Sequence, residues 1–297
     1  MLLSTQTRVL KTTFGNERAI EILAKAGYDA YDMTFMNSMK DTDPLLSENF
    51  REEAAALRKY ADSLGIVCNQ AHAPFPTSVG DEVKDEEIFK TVVRSMEASA
   101  ILGAKIIVVH PKQHLNYRTN ADKLQELNRE FYARLIPYCE KFGIKVGVEN
   151  MWQRNPVGPD NAKKSIVDST CSRVEEFCRY VDLQNSEWIV ACLDLGHISL
   201  TGEDVEYMIR GLGPKRLQAL HVHDTDGIND LHTLPFTACN DYPMIVKTLA
   251  DIGYEGDLTF EADNFFAKFP KEMYQDVADF MQKTGRYLVG MFNKCKA

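Results

Sequence analysis

The side chains best equipped for chemistry in this chain sit where short apolar runs end. Val146-Gly147-Val148 runs into Glu149-Asn150, and Val190-Ala191-Cys192-Leu193 runs into Asp194, followed by Leu195-Gly196-His197. Leu220-His221-Val222-His223-Asp224 carries two histidines, and Leu258-Thr259-Phe260 ends in Glu261. Two earlier runs also reach a histidine, Asn69-Gln70-Ala71-His72 and Val108-Val109-His110. If these runs are strands, successive side chains point to opposite faces. Glu149 then shares a face with Gly147, Asp194 with Cys192, Glu261 with Thr259, and His221 with His223. Val146, Val148, Leu193, Leu195, Leu258 and Phe260 take the other face, toward a layer of helices. A buried carboxylate without a partner is very costly. The one Lys or Arg on these strands, Lys145, lies at the opposite end of its strand from Glu149, so structural ion pairs at the strand ends lack their cations. A divalent metal resolves the conflict. Two Glu, one Asp and one His make an oxygen-rich site with one imidazole, which suits one Mn²⁺, Mg²⁺, Co²⁺ or Zn²⁺.

The elements that must hold these residues are legible from period. Short β-rich runs alternate with stretches of helical periodicity. The expected strands are Leu3–Thr7, Ala30–Phe35, Val67–Ala71, Ile106–His110, Lys145–Glu149, Val190–Asp194, Leu217–His223 and Leu258–Glu261. Amphipathic stretches between them include Arg18–Ala26, Glu48–Ser63, Glu86–Leu102 and Lys123–Phe142. Ser172-Arg173-Val174-Glu175 reads as a capping box opening a helix over Val174–Val181, and Thr201-Gly202-Glu203-Asp204 as a similar start. Gly27, Gly103, Gly143 and Gly253 each follow a helical stretch, where a left-handed residue closes a helix. Eight strand–helix units predict an α/β fold, a (β/α)₈ TIM barrel in a single domain over residues 1–297, with its site at the C-terminal ends of the strands. The competing doubly wound sheet would carry a G-x-G-x-x-G turn, which is absent. The Met and Phe residues read as core.

Bulk properties fit a soluble globular protein. The chain has 297 residues, 44% hydrophobic and 26% charged. No apolar run approaches the roughly 20 residues that span a bilayer, and the start, Met1-Leu2-Leu3-Ser4, lacks signal-peptide character. A cytoplasmic location without membrane contact is expected. Seven scattered cysteines with no C-x-x-C pair read as reduced structural thiols. The net charge of −9 weighs against a nucleic-acid partner. Whether the chain forms a homo-oligomer is left open.

With these fragments in order, the chain resembles the xylose-isomerase-like TIM barrel superfamily, especially its sugar phosphate isomerase/epimerase group. The resemblance runs over most of the chain. It rests most on Val148-Glu149-Asn150, Leu193-Asp194-Leu195-Gly196-His197, His221-Val222-His223-Asp224, Asp230-Leu231-His232, and Gly253-Tyr254-Glu255-Gly256 leading into Phe260-Glu261. It implies a metal held by Glu149, Asp194, His221 and Glu261. His221, not His223, aligns with the ligand, because the family pattern is His, two residues, then Asp; His223 would lie beside the metal, near substrate. The same superfamily includes endonuclease IV-type enzymes with three zincs, and His72, His110, His197, Asp230 and His232 match their additional ligand types. The family's glycine-rich stretch after Asp-x-His is replaced by Thr233-Leu234-Pro235-Phe236-Thr237-Ala238-Cys239, which leaves the substrate and any phosphate site open.

The implied reaction is isomerisation or epimerisation of a small sugar or sugar phosphate by proton transfer. The metal polarises adjacent carbonyl and hydroxyl oxygens, one of Glu149 and Glu261 takes the proton, and the other returns it, through an enediolate. His72, His110, His197, His223, Asp230 and His232 are expected to touch substrate or hold a second metal, with plain pocket-wall or loop roles as the alternative. Trp152 and Arg154 follow Glu149 on a loop suited to clamping substrate. Arg154, Lys163 and Lys164 could hold a phosphate, although a solvated face suits the two lysines better. An endonuclease IV-like zinc phosphodiesterase, a keto-polyol dehydratase on the same metal site, and a non-catalytic sugar-binding barrel are the competing readings.

Overall fold

Alternation of apolar and polar side chains builds a barrel with two separate interiors. In the computed structural model, which describes residues 1–36, 42–156 and 165–296, the chain runs β1 (Leu3–Thr5), α1 (Arg8–Phe14), α2 (Asn16–Ala26), β2 (Ala30–Thr34), α3 (Phe50–Ser63), β3 (Val67–His72), α4 (Glu82–Leu102), β4 (Ile106–Val109), α5 (Tyr117–Phe142) and β5 (Lys145–Glu149). It continues through β6 (Arg154–Pro156), β7 (Ser165–Val167), α6 (Val174–Asp182), β8 (Ile189–Asp194), α7 (Leu195–Thr201), α8 (Val205–Arg216), β9 (Leu217–His221), α9 (Tyr242–Asp251), β10 (Leu258–Phe260) and α10 (Tyr274–Lys296). Strands β2-β3-β4-β5-β8-β9 form one parallel sheet, and β1 pairs in parallel with β10. Parallel bridges Gln6↔Asp32 and Val222↔Phe260 join the two sets and close the ring. The eight barrel strands fall within one or two residues of the expected ones, and each is followed by an outer helix.

The outward side chains, among them Tyr31, Met33, Ile107, Val146, Val148, Leu193, Leu220 and Phe260, pack with the helices into one continuous core. Each fully buried aliphatic or aromatic side chain there contributes about 1.5–3 kcal/mol. The inward set is smaller and more polar. Val108, Cys192 and Ala219 form a separate apolar plug inside the ring. Gly147 sits beside it, where an added Cβ would lie 3.2 Å from Cys192 Cβ and 3.3 Å from Ile106 Cγ2. Ser4 Oγ donates to Thr259 Oγ1 at 2.9 Å between the neighbouring strands β1 and β10. The expected faces of Glu149, Asp194 and Glu261 are therefore the observed ones.

The glycines after α2, α4, α5 and α9 take positive φ, 88°, 108°, 68° and 73°. Two helix starts differ from expectation. The α6 N-cap is Arg173, without a side-chain cap, because Ser172 Oγ instead accepts from Ser169 N in the preceding turn. Thr201 ends α7, and Asp204 caps α8 by accepting from Tyr207 N. The short antiparallel ribbon β6–β7 lies between β5 and α6. Lys163 and Lys164 lie outside the described residues. All seven cysteines are free, with Cys68, Cys139, Cys171 and Cys192 buried. No helix among the described residues is long and apolar enough to cross a membrane.

Candidate active site at the barrel mouth

Four strand ends deliver the four expected side chains to one point. Glu149 from β5, Asp194 from β8, His221 from β9 and Glu261 just after β10 each offer a ligand atom within 4.8 Å of the others. Their exposures are 0%, 0%, 0% and 2%, so water does not solvate the three carboxylates. His221 Nδ1 lies 3.0 Å from Glu261 Oε2 and 3.3 Å from Glu149 Oε1. Gln6 Nε2 donates to Glu261 Oε1 at 2.9 Å. Neither oxygen of Glu149 and neither ring nitrogen of His221 has an aligned hydrogen-bond partner. Such orphaned buried groups are rare and costly, and they fit a divalent cation taking oxygen and imidazole donors.

Asp194 is placed by its surroundings more firmly than Glu149. It caps α7 through Oδ1, which accepts from His197 N at 2.7 Å. Asn150 locks the ends of β5 and β8 together, accepting from Asp194 N at 2.7 Å and donating to Asp194 O at 2.9 Å. His223 Nε2 lies 3.0 Å from both Asp194 oxygens. Gly196 permits this approach, since a Cβ there would lie 2.0 Å from His223 Cε1. His223 is buried and stacks on His232 with centroids 4.1 Å apart.

Two further clusters adjoin the first. His197, His223, Asp230 and His232 form one, and His72, Glu149 and His221 another. Hydrogen bonding indicates ring states suited to ligation. His72 Nδ1 faces Ala73 O at 2.8 Å, His197 Nδ1 faces Asn150 O at 2.8 Å, and His232 Nδ1 faces Glu261 O at 2.9 Å. A carbonyl only accepts, so each Nδ1 carries the proton. Each Nε2 then points at its cluster: His232 at Asp230 Oδ2 (3.1 Å), His197 at the same oxygen (3.6 Å), and His72 at Glu149 Oε2 (3.7 Å), with His110 Nε2 also 3.0 Å from His72 Nε2. His110 Nε2 is also 2.9 Å from Glu149 Oε2. A lone pair facing a carboxylate oxygen requires a second proton or a cation between them. Metal-bound histidines usually donate their other ring N–H to a carbonyl or carboxylate in this way.

The electrostatics carry the same message. Burial pushes the Glu149 and Glu261 carboxyls up, but the facing histidines, His110 and His221 for Glu149, His221 and His232 for Glu261, hold both well below the usual range. Burial lowers His197, while Asp194 and Asp230 raise it well above its ordinary value. Burial likewise opposes His232, and Glu261 and Asp230 still lift it to about 10. The acids are therefore held as anions that seek positive charge.

Above the clusters opens a cavity of about 390 Å³, within the range of small-molecule sites. Of the expected residues, His110, Glu149, Trp152, His197, Asp230, His232 and Glu261 line it. His72, Asp194, His221 and His223 lie buried beneath it. Trp152 Nε1 donates to Asp230 Oδ2 at 3.2 Å. Arg154 is exposed, donates to Ile228 O and is not part of the cavity wall. Met36 and Phe75 line the cavity and are not core as expected, whereas Met151 is buried and also borders it. Sequence reasoning also passed over Arg8, Gln113 and Asn264 in the wall. Arg8 grips Asp263 through two 2.7 Å bonds and donates to Asn264 Oδ1 at 3.1 Å. The loop that replaces the glycine-rich stretch is anchored by Asp224, which accepts from Ala238 N and Asn240 N, and Phe236 takes a φ of 72°.

A closed parallel barrel with an acid- and histidine-lined mouth defines the class, and comparison defines the family. The xylose isomerase-like TIM barrel family pattern matches residues 20–284, and the chain belongs to that family. It is 20% identical over 256 residues to the fructoselysine 3-epimerase of Escherichia coli O157:H7, covering 86% of this chain and 88% of the relative. Its fold is similar to that of a D-tagatose 3-epimerase-like protein, with a TM-score of 0.74 at 18% identity and full coverage of both chains. It is also similar to the IOLI protein with a bound zinc atom, with a TM-score of 0.71 at 19% identity and 99% of each chain covered.

Proposed function

We propose that this chain is a metal-dependent sugar isomerase or epimerase that works by proton transfer. The observation that carries the reading is the set Glu149, Asp194, His221 and Glu261, four buried side chains converging with orphaned atoms and no Lys or Arg among them. Similarity to the fructoselysine 3-epimerase and the D-tagatose 3-epimerase-like protein supports the substrate class, and the zinc in the IOLI protein supports the metal. A divalent ion held by these four residues would supply Lewis-acid polarisation of a substrate carbonyl. Glu149 and Glu261 stand on barrel strands that are not neighbours and reach the cavity from two sides. One takes the proton beside the carbonyl and the other returns it, to the opposite face for epimerisation or to the neighbouring carbon for isomerisation. Trp152 and Phe75 offer apolar surface to the sugar's C–H face, and Gln113 and Asn264 offer amide groups to its hydroxyls.

The test is incubation of Mn²⁺-loaded protein with D-fructose, D-psicose and D-tagatose in D₂O. Interconversion with deuterium at the carbon beside the carbonyl is expected. Loss of water from the product would point instead to a dehydratase. Full metal loading without turnover or exchange on a wider panel of ketoses and their phosphates would contradict the reading.

A second reading rests on the two adjoining clusters and their Nε2-directed rings. They suit a multinuclear zinc centre with phosphodiesterase chemistry. Metal analysis separates the two. One equivalent per chain favours the sugar enzyme, and three equivalents together with hydrolysis of bis(p-nitrophenyl) phosphate favour the second.

A further inference from the structure

His221 differs from the other cluster histidines. His72, His197 and His232 rest Nδ1–H on backbone carbonyls and aim Nε2 at their cluster. His221 is turned the other way. Its Nδ1 faces Glu149 and Glu261, and its Nε2 faces the barrel interior, 3.8 Å from Asp32 Oδ2. Asp32 lies on β2, is fully buried, and has one oxygen, Oδ1, with no partner. Its other oxygen accepts from Gln70 Nε2 at 3.0 Å, which fixes the carboxylate's position. A fully buried carboxylate served by one amide is costly unless it meets a positive charge or a strong donor. His221 Nε2 faces this carboxylate at 3.8 Å, longer than a direct hydrogen bond but close enough for the buried negative charge to favour a proton on Nε2, and with Nε2 protonated the Nδ1 lone pair is free toward Glu149 and Glu261.

From this we infer that Asp32 is a positioning residue for the metal site: it holds the Nε2–H form of His221 and so presents Nδ1 to the ion. The inference rests on the metal-site reading above. Asp32 touches neither cavity nor substrate; it acts through His221, as outer-shell carboxylates act on metal-bound histidines. Gln70 is the second support, keeping Asp32 in place.

The test uses chelator-treated protein and titration with Mn²⁺ or Zn²⁺ alone, followed by calorimetry. Asp32→Asn keeps the size of the side chain and an acceptor for Gln70 but removes the charge. It is expected to weaken metal binding by about 10–100-fold, the range for lost outer-shell partners, with the circular dichroism spectrum unchanged. An Asp32→Asn protein that binds as tightly as wild type would overturn the role. Should that variant not fold, ¹⁵N-histidine NMR on metal-loaded wild-type protein decides. His221 with a protonated Nε2 and a metal-shifted Nδ1 supports the inference, and the reverse assignment overturns it. Wild-type protein that takes up no metal would sink the underlying reading, an outcome distinct from a failure of Asp32 alone.

Discussion

The two ends of the barrel treat charge in opposite ways. At the N-terminal end, charged groups are partly exposed and paired. Arg286 forms 2.6 and 2.7 Å bonds to the two oxygens of Asp29, Arg216 reaches both oxygens of Asp182, and Lys145 donates to Gln218 Oε1. A groove of about 790 Å³ there is lined by Lys145, Asp182 and Arg216, of which Asp182 and Arg216 pair with each other and Lys145 donates to an amide. At the C-terminal end the four-residue cluster's acids are buried, their neighbours are histidines, and orphaned atoms collect on Glu149 and His221. Surface pairs settle their own electrostatics with little net effect. Buried acids facing imidazoles do not, and such unresolved charge marks a place built to receive something.

The contrast can be broken most sharply at the mouth. Glu149→Gln and Glu261→Gln should each lower turnover on the responsive ketose by at least about 10²–10⁴-fold, the usual worth of a positioned acid or base. Steady-state rates with saturating Mn²⁺ measure this, and full activity in either variant removes that residue from the mechanism. A smaller effect is expected at Gly196. The added Cβ of Gly196→Ala meets a His223 ring that is pinned between Asp194 and His232. Overpacking of this kind costs about 1–3 kcal/mol, read as a lower urea midpoint, and an unchanged midpoint would mean that His223 swings freely. The smallest effect belongs to the other end. Arg286→Ala should cost about 0.2–1 kcal/mol, as exposed pairs do, and leave turnover untouched. A large activity loss there would erase the distinction between the two ends.

The residues that were legible beforehand, and those that were not, differ for a physical reason. The barrel strands and the faces of Glu149, Asp194 and Glu261 follow from a local two-residue alternation, so they could be read from short windows. Asp32 obeys the same rule, lying between Tyr31 and Met33 on a fully buried strand, and an acid in that setting was a usable signal that a focus on strand ends passed over. Arg8 and Asp263 are different. Their bidentate pair joins residues 255 positions apart, and no local pattern announces it. The ribbon β6–β7, with three residues per strand and Pro156 in one of them, is too short for period to register. Ser172 shows a capping pattern outcompeted by a nearby turn, because its hydroxyl can serve only one geometry at a time.

The most direct test of the proposed metal centre is anomalous diffraction from crystals grown with Mn²⁺ or Zn²⁺. The account predicts a strong anomalous peak among Glu149, Asp194, His221 and Glu261, with His221 bound through Nδ1. A fully loaded crystal with the ion elsewhere, and these four side chains closed on one another without it, would contradict it.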